Sequence, residues 1–281
     1  MAQYTTALKD DFNTVRNAVR DVLGTGSGDS GYGSPVTSYT VAKGDTISHF
    51  EYDALKTDIN VCYNHIANTD ATLASVVERG TVTWANFVTY QAAATYITNN
   101  RLSFAGPQLT PTPSGMTFVK GWGQASGNIF ARCTGTITWA SAEACRFFFN
   151  QGNYLQFATT YYLGSGAKTE AWKTLWSGLG FTYGRGQLSS GYSKTSYMST
   201  NPYGYNPPAT KNDYVAISMS APSNGSISFS ITLNDGGQDN QVLENITTDL
   251  TFFIDQVKSN QAGITTYIPT INLNAPVFSA T

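Results

Sequence analysis

Leu8, Phe12, Val15, Val19 and Leu23 recur at spacings of four, three, four and four residues. That rhythm places one apolar stripe along a helix predicted over about 4–23. Asp10 and Asp11 stand toward its start and Arg16 and Arg20 toward its end, the order a helix dipole favours. Gly24 follows as a natural terminator. One helix of this length is marginal in water by itself, so its stripe requires a second helix or a neighbouring copy. The five stripe residues mark the candidate oligomerisation or docking surface.

A second helix is predicted over about 48–67, with Phe50, Leu55, Ile59, Cys62 and Ile66 as its stripe. Ser48 followed by Glu51 matches a capping box. Residues 24–35 between the two helices are a glycine- and serine-rich loop by composition, and 40–47 are a short strand or turn. A third helix over about 83–99 brings Phe87, Tyr90, Ala94 and Ile97 to one face. Pro107, Pro111 and Pro113 then mark a boundary.

Beyond the prolines the period becomes two. Ile129, Ala131, Cys133, Ile137 and Trp139 alternate with polar residues, and Gly135 interrupts them as a site for a bulge. Val215, Ile217 and Met219 alternate in the same way, as do Ile227, Phe229, Ile231 and Leu233. Ile246, Leu250, Phe252 and Ile254 make a further run, and 264–273 another strand. Ser223-Asn224-Gly225 and Asn234-Asp235-Gly236-Gly237 are turn signals between these runs. One-sided alternation predicts antiparallel sheet with one buried face. Two short helices interrupt the strands: 142–150, capped by Ser141, and one opening at Thr169 that carries Trp172, Leu175, Trp176 and Leu179. Residues 184–214 have no apolar period, and a loop of that length is usually functional or ordered by a partner. Its tyrosines Tyr192, Tyr197, Tyr203 and Tyr205 are candidates for inter-subunit packing or for contact with a receptor.

The predicted class is therefore α+β, mainly β: an N-terminal helical segment followed by an antiparallel β-sandwich with two short covering helices. Three regions follow: 1–75 for attachment and oligomerisation, 76–114 as a helix and proline-rich linker, and 115–281 as the sandwich.

Composition narrows the chemistry. Only 12% of the 281 residues are charged, against roughly 25% in an average domain. Hydroxyls and amides supply the polarity instead. The net charge of −2 leaves no basic excess to neutralise phosphates, which argues against nucleic acid as a partner. No stretch reaches the length of about 18 apolar residues that a span requires, and no leader core precedes the first helix, so synthesis in the cytoplasm without membrane insertion is expected. Cys62, Cys133 and Cys145 are odd in number and lack metal or redox spacing, which predicts buried thiols.

Gly28-Asp29-Ser30-Gly31 imitates a serine-protease nucleophile motif, but its only histidines, His49 and His65, both follow it, and the glycines predict a flexible loop. Gly26, Gly28 and Gly31 satisfy G-x-G-x-x-G without the strand before and the helix after that a dinucleotide site needs. His49 and His65 lie too far apart to serve as neighbouring ligands on one helix. No catalytic, cofactor or metal residue is assigned, and no cofactor is expected. Were the chain an enzyme, Glu143, Asp213 or Asp249 would carry glycan hydrolysis.

Three segments carry a resemblance. They are Val22-Leu23-Gly24-Thr25-Gly26-Ser27-Gly28-Asp29-Ser30-Gly31-Tyr32-Gly33, then Ala144-Cys145-Arg146-Phe147-Phe148-Phe149-Asn150 with the Trp172 helix after it, then Asn212-Asp213-Tyr214, Ser223-Asn224-Gly225 and Leu233-Asn234-Asp235 in order. In that order they resemble virion structural proteins of large contractile-tailed bacteriophages, of the tail-fibre, collar or baseplate-accessory type. The resemblance implies a β-rich, oligomeric, non-enzymatic particle component located in the virion. Its partners would be copies of itself, as a trimer, and other tail, neck or baseplate proteins. An adhesin that recognises a host cell-surface glycan is the alternative, and a glycan depolymerase a more distant one.

Overall fold

The computed structural model describes residues 2–74, 76, 83–105, 119–122, 129–159, 181–197, 214–235, 246–249, 252–257, 261–275 and 277–280. The class is the expected α+β, with helices leading and antiparallel strands following. The chain divides into two compact units. One joins Met1–Thr110, Arg146–Asn153 and Lys258–Ile268; the other joins Pro111–Cys145, Tyr154–Val257 and Pro269–Thr281. These divisions cut the chain differently from the sequence-drawn boundaries at 75 and 114, because residues 146–153 and 258–268 return to the helical unit.

In the first unit α1 (Ala2–Leu23), α2 (His49–Ala67) and α3 (Trp84–Asn100) pack mutually. Phe12, Val15, Val19, Val22 and Leu23 from α1 share one buried cluster with Leu55, Ile59 and Cys62 from α2 and Phe87, Tyr90 and Ile97 from α3. The ring of Tyr52 sits edge-on between Phe12 at 5.3 Å and Tyr90 at 5.5 Å. The stripe expected to serve as a docking surface is thus covered from within the chain; the side chain of Leu8 lies outside the described residues. The physical reason is the third helix, which completes a three-helix core that two helices would leave open. α1 also begins early enough that Asp10 and Asp11 fall beyond its first turn, where the dipole has faded.

α2 carries the predicted capping box: the Ser48 hydroxyl accepts from the Phe50 N–H, and the Ser48 N–H donates to Glu51 Oε2 at 2.7 Å. Phe50 departs from its expected place. It is 68% exposed, and Tyr52 occupies the core instead. Thr83 caps α3 with Asn86 in the same reciprocal manner. The segment 34–41 is fastened to both α1 and α2. Asn13 holds the Val41 backbone on both sides, donating to its carbonyl at 2.9 Å and accepting from its N–H at 3.0 Å. Asp58, buried in α2, accepts from the N–H and hydroxyl of both Thr37 and Ser38 at 2.6–2.9 Å. Arg16 donates twice to the Ser38 carbonyl.

The second unit is antiparallel throughout its described pairings. One sheet follows the order β10–β2–β7–β6–β5, built from β2 (Ile129–Thr138), β5 (Tyr192–Tyr197), β6 (Tyr214–Met219), β7 (Ser226–Asp235) and β10 (Thr270–Leu273). β11 (Val277–Ala280) continues along the same edge of β2. β4 (Phe181–Tyr183), β3 (Tyr154–Thr159) and β9 (Phe252–Val257) form a second sheet, and β1 (Val119–Trp122) pairs with β8 (Ile246–Asp249). Pairing alone does not make these sheets the two layers of a sandwich.

The alternation bears out the expected core. Cys133, Ile137, Trp139, Val215, Ile217, Met219, Ile227, Phe229, Ile231 and Leu233 are buried. The side chains of Trp172, Leu175 and Phe252, and the helix expected from Thr169, lie outside the described residues. Asn224 and Gly225 both have positive φ, 48° and 76°, in the tight β6–β7 turn, the requirement of a two-residue hairpin matched to strand twist. No bulge occurs at Gly135. β2 and β7 stay in continuous register from Ile129↔Asp235 to Thr138↔Ser226. Gly135 instead makes room: a Cβ there would stand 2.5 Å from the Phe229 ring. The strand expected over 264–273 is confined to β10.

Residues 184–214 are corrected in part. A 3₁₀ turn (Arg185–Gln187) and β5 fall within them. β5 alternates Tyr, Ser, Lys, Thr, Ser and Tyr, so it lacks the apolar period by which strands were sought. It is held by its backbone ladder to β6.

Candidate functional site

The glycine-rich tract after α1 is bonded closely to the end of its own helix. The last four carbonyls of a helix have no partner within it. Here the tract folds back and supplies one to each. Gly24 N–H donates to Arg20 O, Ser30 Oγ–H to Asp21 O, Tyr32 N–H to Val22 O and Ser34 N–H to Leu23 O, at 2.6–2.9 Å. The loop expected to be flexible is hydrogen-bonded to the helix it follows. Ser30, the residue of the protease-like motif, uses its hydroxyl proton on a helix carbonyl.

A second set of residues takes up the carbonyls of the tract itself. α4 (Ala142–Asn150) starts as predicted, with Ser141 Oγ accepting from the Ala144 N–H at 3.0 Å. This helix was expected as one of two covering the sandwich; its later half contacts the tract. Arg146 donates to the carbonyls of Thr25, Gly28 and Ser30, and Asn150 Nδ2 to those of Gly28, Ser30 and Gly31. Gln151 Nε2 donates to Tyr32 O at 2.9 Å and Thr265 O at 2.8 Å. Arg101, at the end of α3, pairs with the Asp29 carboxylate at 2.7 Å. The Tyr267 hydroxyl donates to Gly33 O at 2.6 Å.

Gly31 shows why glycine is needed. Its φ is +97°, and an added Cβ would lie 2.0 Å from the Thr25 carbonyl oxygen. No side chain fits that approach.

Behind the tract, Tyr32 and His65 are wholly buried, with ring centroids 4.9 Å apart. The Tyr32 hydroxyl donates to Arg101 O at 2.6 Å, and burial pushes the phenol well above its usual pKa. His65 Nε2–H donates to Gln151 O at 2.8 Å, which fixes the neutral tautomer with its proton on Nε2. Burial draws the imidazole down to about 4, while the Gln151 carbonyl opposes that shift. His49 stands apart at the start of α2, its ring 3.9 Å from that of Phe50.

An open groove of about 810 Å³ runs beside the tract, lined by Arg20, Asp21, Thr25, Ser27, Asp29 and Arg101 among others. Its charges are matched internally, Arg20 to Asp21 and Arg101 to Asp29.

The other candidates fall elsewhere. Tyr192 is half-buried in β5, and Tyr197 pairs across to Tyr214 through its backbone. Tyr203 and Tyr205 lie outside the described residues. Glu143 is exposed in the first turn of α4, Asp249 ends β8, and Asp213 lies outside the described residues. The three cysteines are buried as expected, and burial raises Cys133 to about 11 and Cys145 to about 12. Among the described residues no group of three or more His, Cys, Asp or Glu is placed to hold a metal ion, and no helix is long and apolar enough to cross a membrane.

Sequence reasoning passed over Asp58 and Gln151, weighed His65 only as a metal ligand or catalytic base, and met Asn150 only within a resembling segment. A signal existed for two of them. Asp58 and His65 fall on the same helical face as Leu55, Ile59, Cys62 and Ile66, and a polar residue inside an apolar stripe needs a buried partner. No protein-family model, curated protein or solved structure matches this chain.

Proposed function

We propose that the chain is a structural component of a bacteriophage virion, in the tail, neck or baseplate, that presents a β-rich unit and associates with copies of itself as a trimer and with other particle proteins. One observation supports this reading above the rest. Asp29 and Ser30 of the protease-like motif, together with Arg101, Arg146, Asn150 and Gln151, all hold backbone or one another. Of these, Asp29, Ser30, Arg146 and Asn150 belong to two of the three segments that carry the resemblance, and those two segments meet in a single interlock. Such a joint suits a part that must keep its shape under load. Self-association on this reading uses surfaces other than the α1 stripe, which the chain covers itself.

Antibody labelling of purified particles, read by electron microscopy, tests the proposal. Gold at one end or collar of every particle is expected. A chain abundant in infected-cell lysate but absent from purified particles would overturn it.

A further inference from the structure

We propose that the Lys43–Gly44 peptide bond is a cleavage site for a trypsin-like endopeptidase, and that the helical unit survives the cut as two chains held in one fold. The proposal stands independently of the role in a virion. Residues 42–46 are all exposed and form the turn between the segment 34–41 and α2. Two bonds shape that turn: the Ala42 N–H donates to Asp45 Oδ2 at 2.9 Å, and the Asp45 N–H to Ala42 O at 3.2 Å. Both join exposed residues, where local opening is easiest. Gly44 adopts φ +98° with nothing within 4 Å of an added Cβ. Glycine passes to the extended form that a protease cleft requires at no side-chain cost, and the space beside it is open. The charge selects the enzyme, because a trypsin-like pocket accepts a long cationic side chain. Lys9, Arg16, Arg20 and Lys56 lie within α1 and α2 and Arg146 within α4, where the backbone is already committed to the helix. Arg101 is tied to Asp29 and to the Thr98 carbonyl. Lys43 stands in the exposed turn itself.

Hydrolysis adds water across the C–N bond and leaves a carboxylate on Lys43 and an amine on Gly44. Nothing that holds the helical unit together passes through 42–46. On the N-terminal side of the cut, α1 and Tyr32 fill the core shared with α2 and α3. Hydrogen bonds join the two pieces as well. Asp58 of α2 accepts from Thr37 and Ser38, and the Tyr32 hydroxyl donates to Arg101 O. Arg146 and Asn150 hold carbonyls of the glycine tract, and Tyr267 holds that of Gly33. Fraying from the new ends is stopped close by. Asn13 grips the Val41 backbone just before the cut, and the Ser48–Glu51 capping box fixes the start of α2 just after it. Exposed loop tips of small and polar residues are the ordinary places where a folded chain is nicked; here both flanks are anchored, so the nick removes a covalent link and no packing.

Limited trypsin digestion of the native full chain, read by mass spectrometry, tests this. New ends at Lys43 and Gly44 should appear about tenfold or more faster than cleavage after Arg20 or Lys56. The 1–43 piece should co-elute with its partner piece in size-exclusion chromatography and part from it only in denaturant. Helical circular dichroism should be unchanged by the cut. Lys43→Gln, a substitution at an exposed position, should abolish cleavage there and leave the helical signal as it was. A native chain that resists trypsin at Lys43, yet is cut there once unfolded in urea, would overturn the site. A 1–43 piece that elutes alone, or helical signal lost in step with the cut, would overturn the two-chain fold.

Discussion

Gly28 and Gly31 both adopt positive φ, +57° and +97°, yet only one is enclosed. Nothing lies within 4 Å of a Cβ built on Gly28, whereas one on Gly31 meets Thr25 O at 2.0 Å. The two substitutions should therefore separate backbone strain from steric conflict. Gly28→Ala carries only the left-handed penalty, roughly 1–2 kcal/mol. Gly31→Ala adds the displacement of a backbone carbonyl and should cost more than about 3 kcal/mol. Thermal melts of the two variants check this, with Gly31→Ala melting far lower; equal shifts would mean that the tract yields more readily than its bonding suggests. The same scale explains Gly135, whose lack of a side chain admits the Phe229 ring rather than a bulge.

Between elements, the joint of α4 with the tract rests on the direction of donors. Asn150 Nδ2 faces the carbonyls of Gly28, Ser30 and Gly31 together. Asn150→Asp keeps the shape and turns that donor into an acceptor, placing a buried carboxylate against three carbonyl oxygens. Removing the bonds alone costs about 1–3 kcal/mol, and the buried, opposed charge adds to it. Asn150→Asp should thus destabilise the chain more than Asn150→Ala, and protease cleavage within 25–31 should appear first in the aspartate variant. Denaturant midpoints and fragment mapping read both effects. The reverse order would show that the tract is held by Arg146 with little help from Asn150.

For the whole molecule, α1 and the tract belong to the core of the helical unit and do not form a detachable arm. Deleting residues 1–33 removes Phe12, Val15, Val19, Val22, Leu23 and Tyr32 from that core. Loss of so many buried large side chains, at roughly 2–5 kcal/mol each, exceeds the 5–15 kcal/mol that a domain possesses. The truncated chain should lose helical circular dichroism, while its antiparallel sheet, with its own buried alternation on β2, β6 and β7, persists as a protease-resistant product. A truncated chain with full helical signal would show that α2 and α3 fold without α1.

The helices, their caps and the main alternating strands were legible in the sequence, because periodicity and capping are local: Ser48 with Glu51, and Ser141 before α4, need only their own neighbours. Asn224-Gly225 was legible for the same reason, since φ preference belongs to the residue. Three matters needed the tertiary structure. The α1 stripe became core instead of docking surface because α3, sixty residues on, closes over it. β5 has no apolar period because its ladder to β6, not a buried face, holds it. The tract became a bonded joint because its partners come from residues 101, 146, 150, 151 and 267. A backbone's conformation follows from its own residues, but the partners of its polar groups are chosen by whatever the fold brings near.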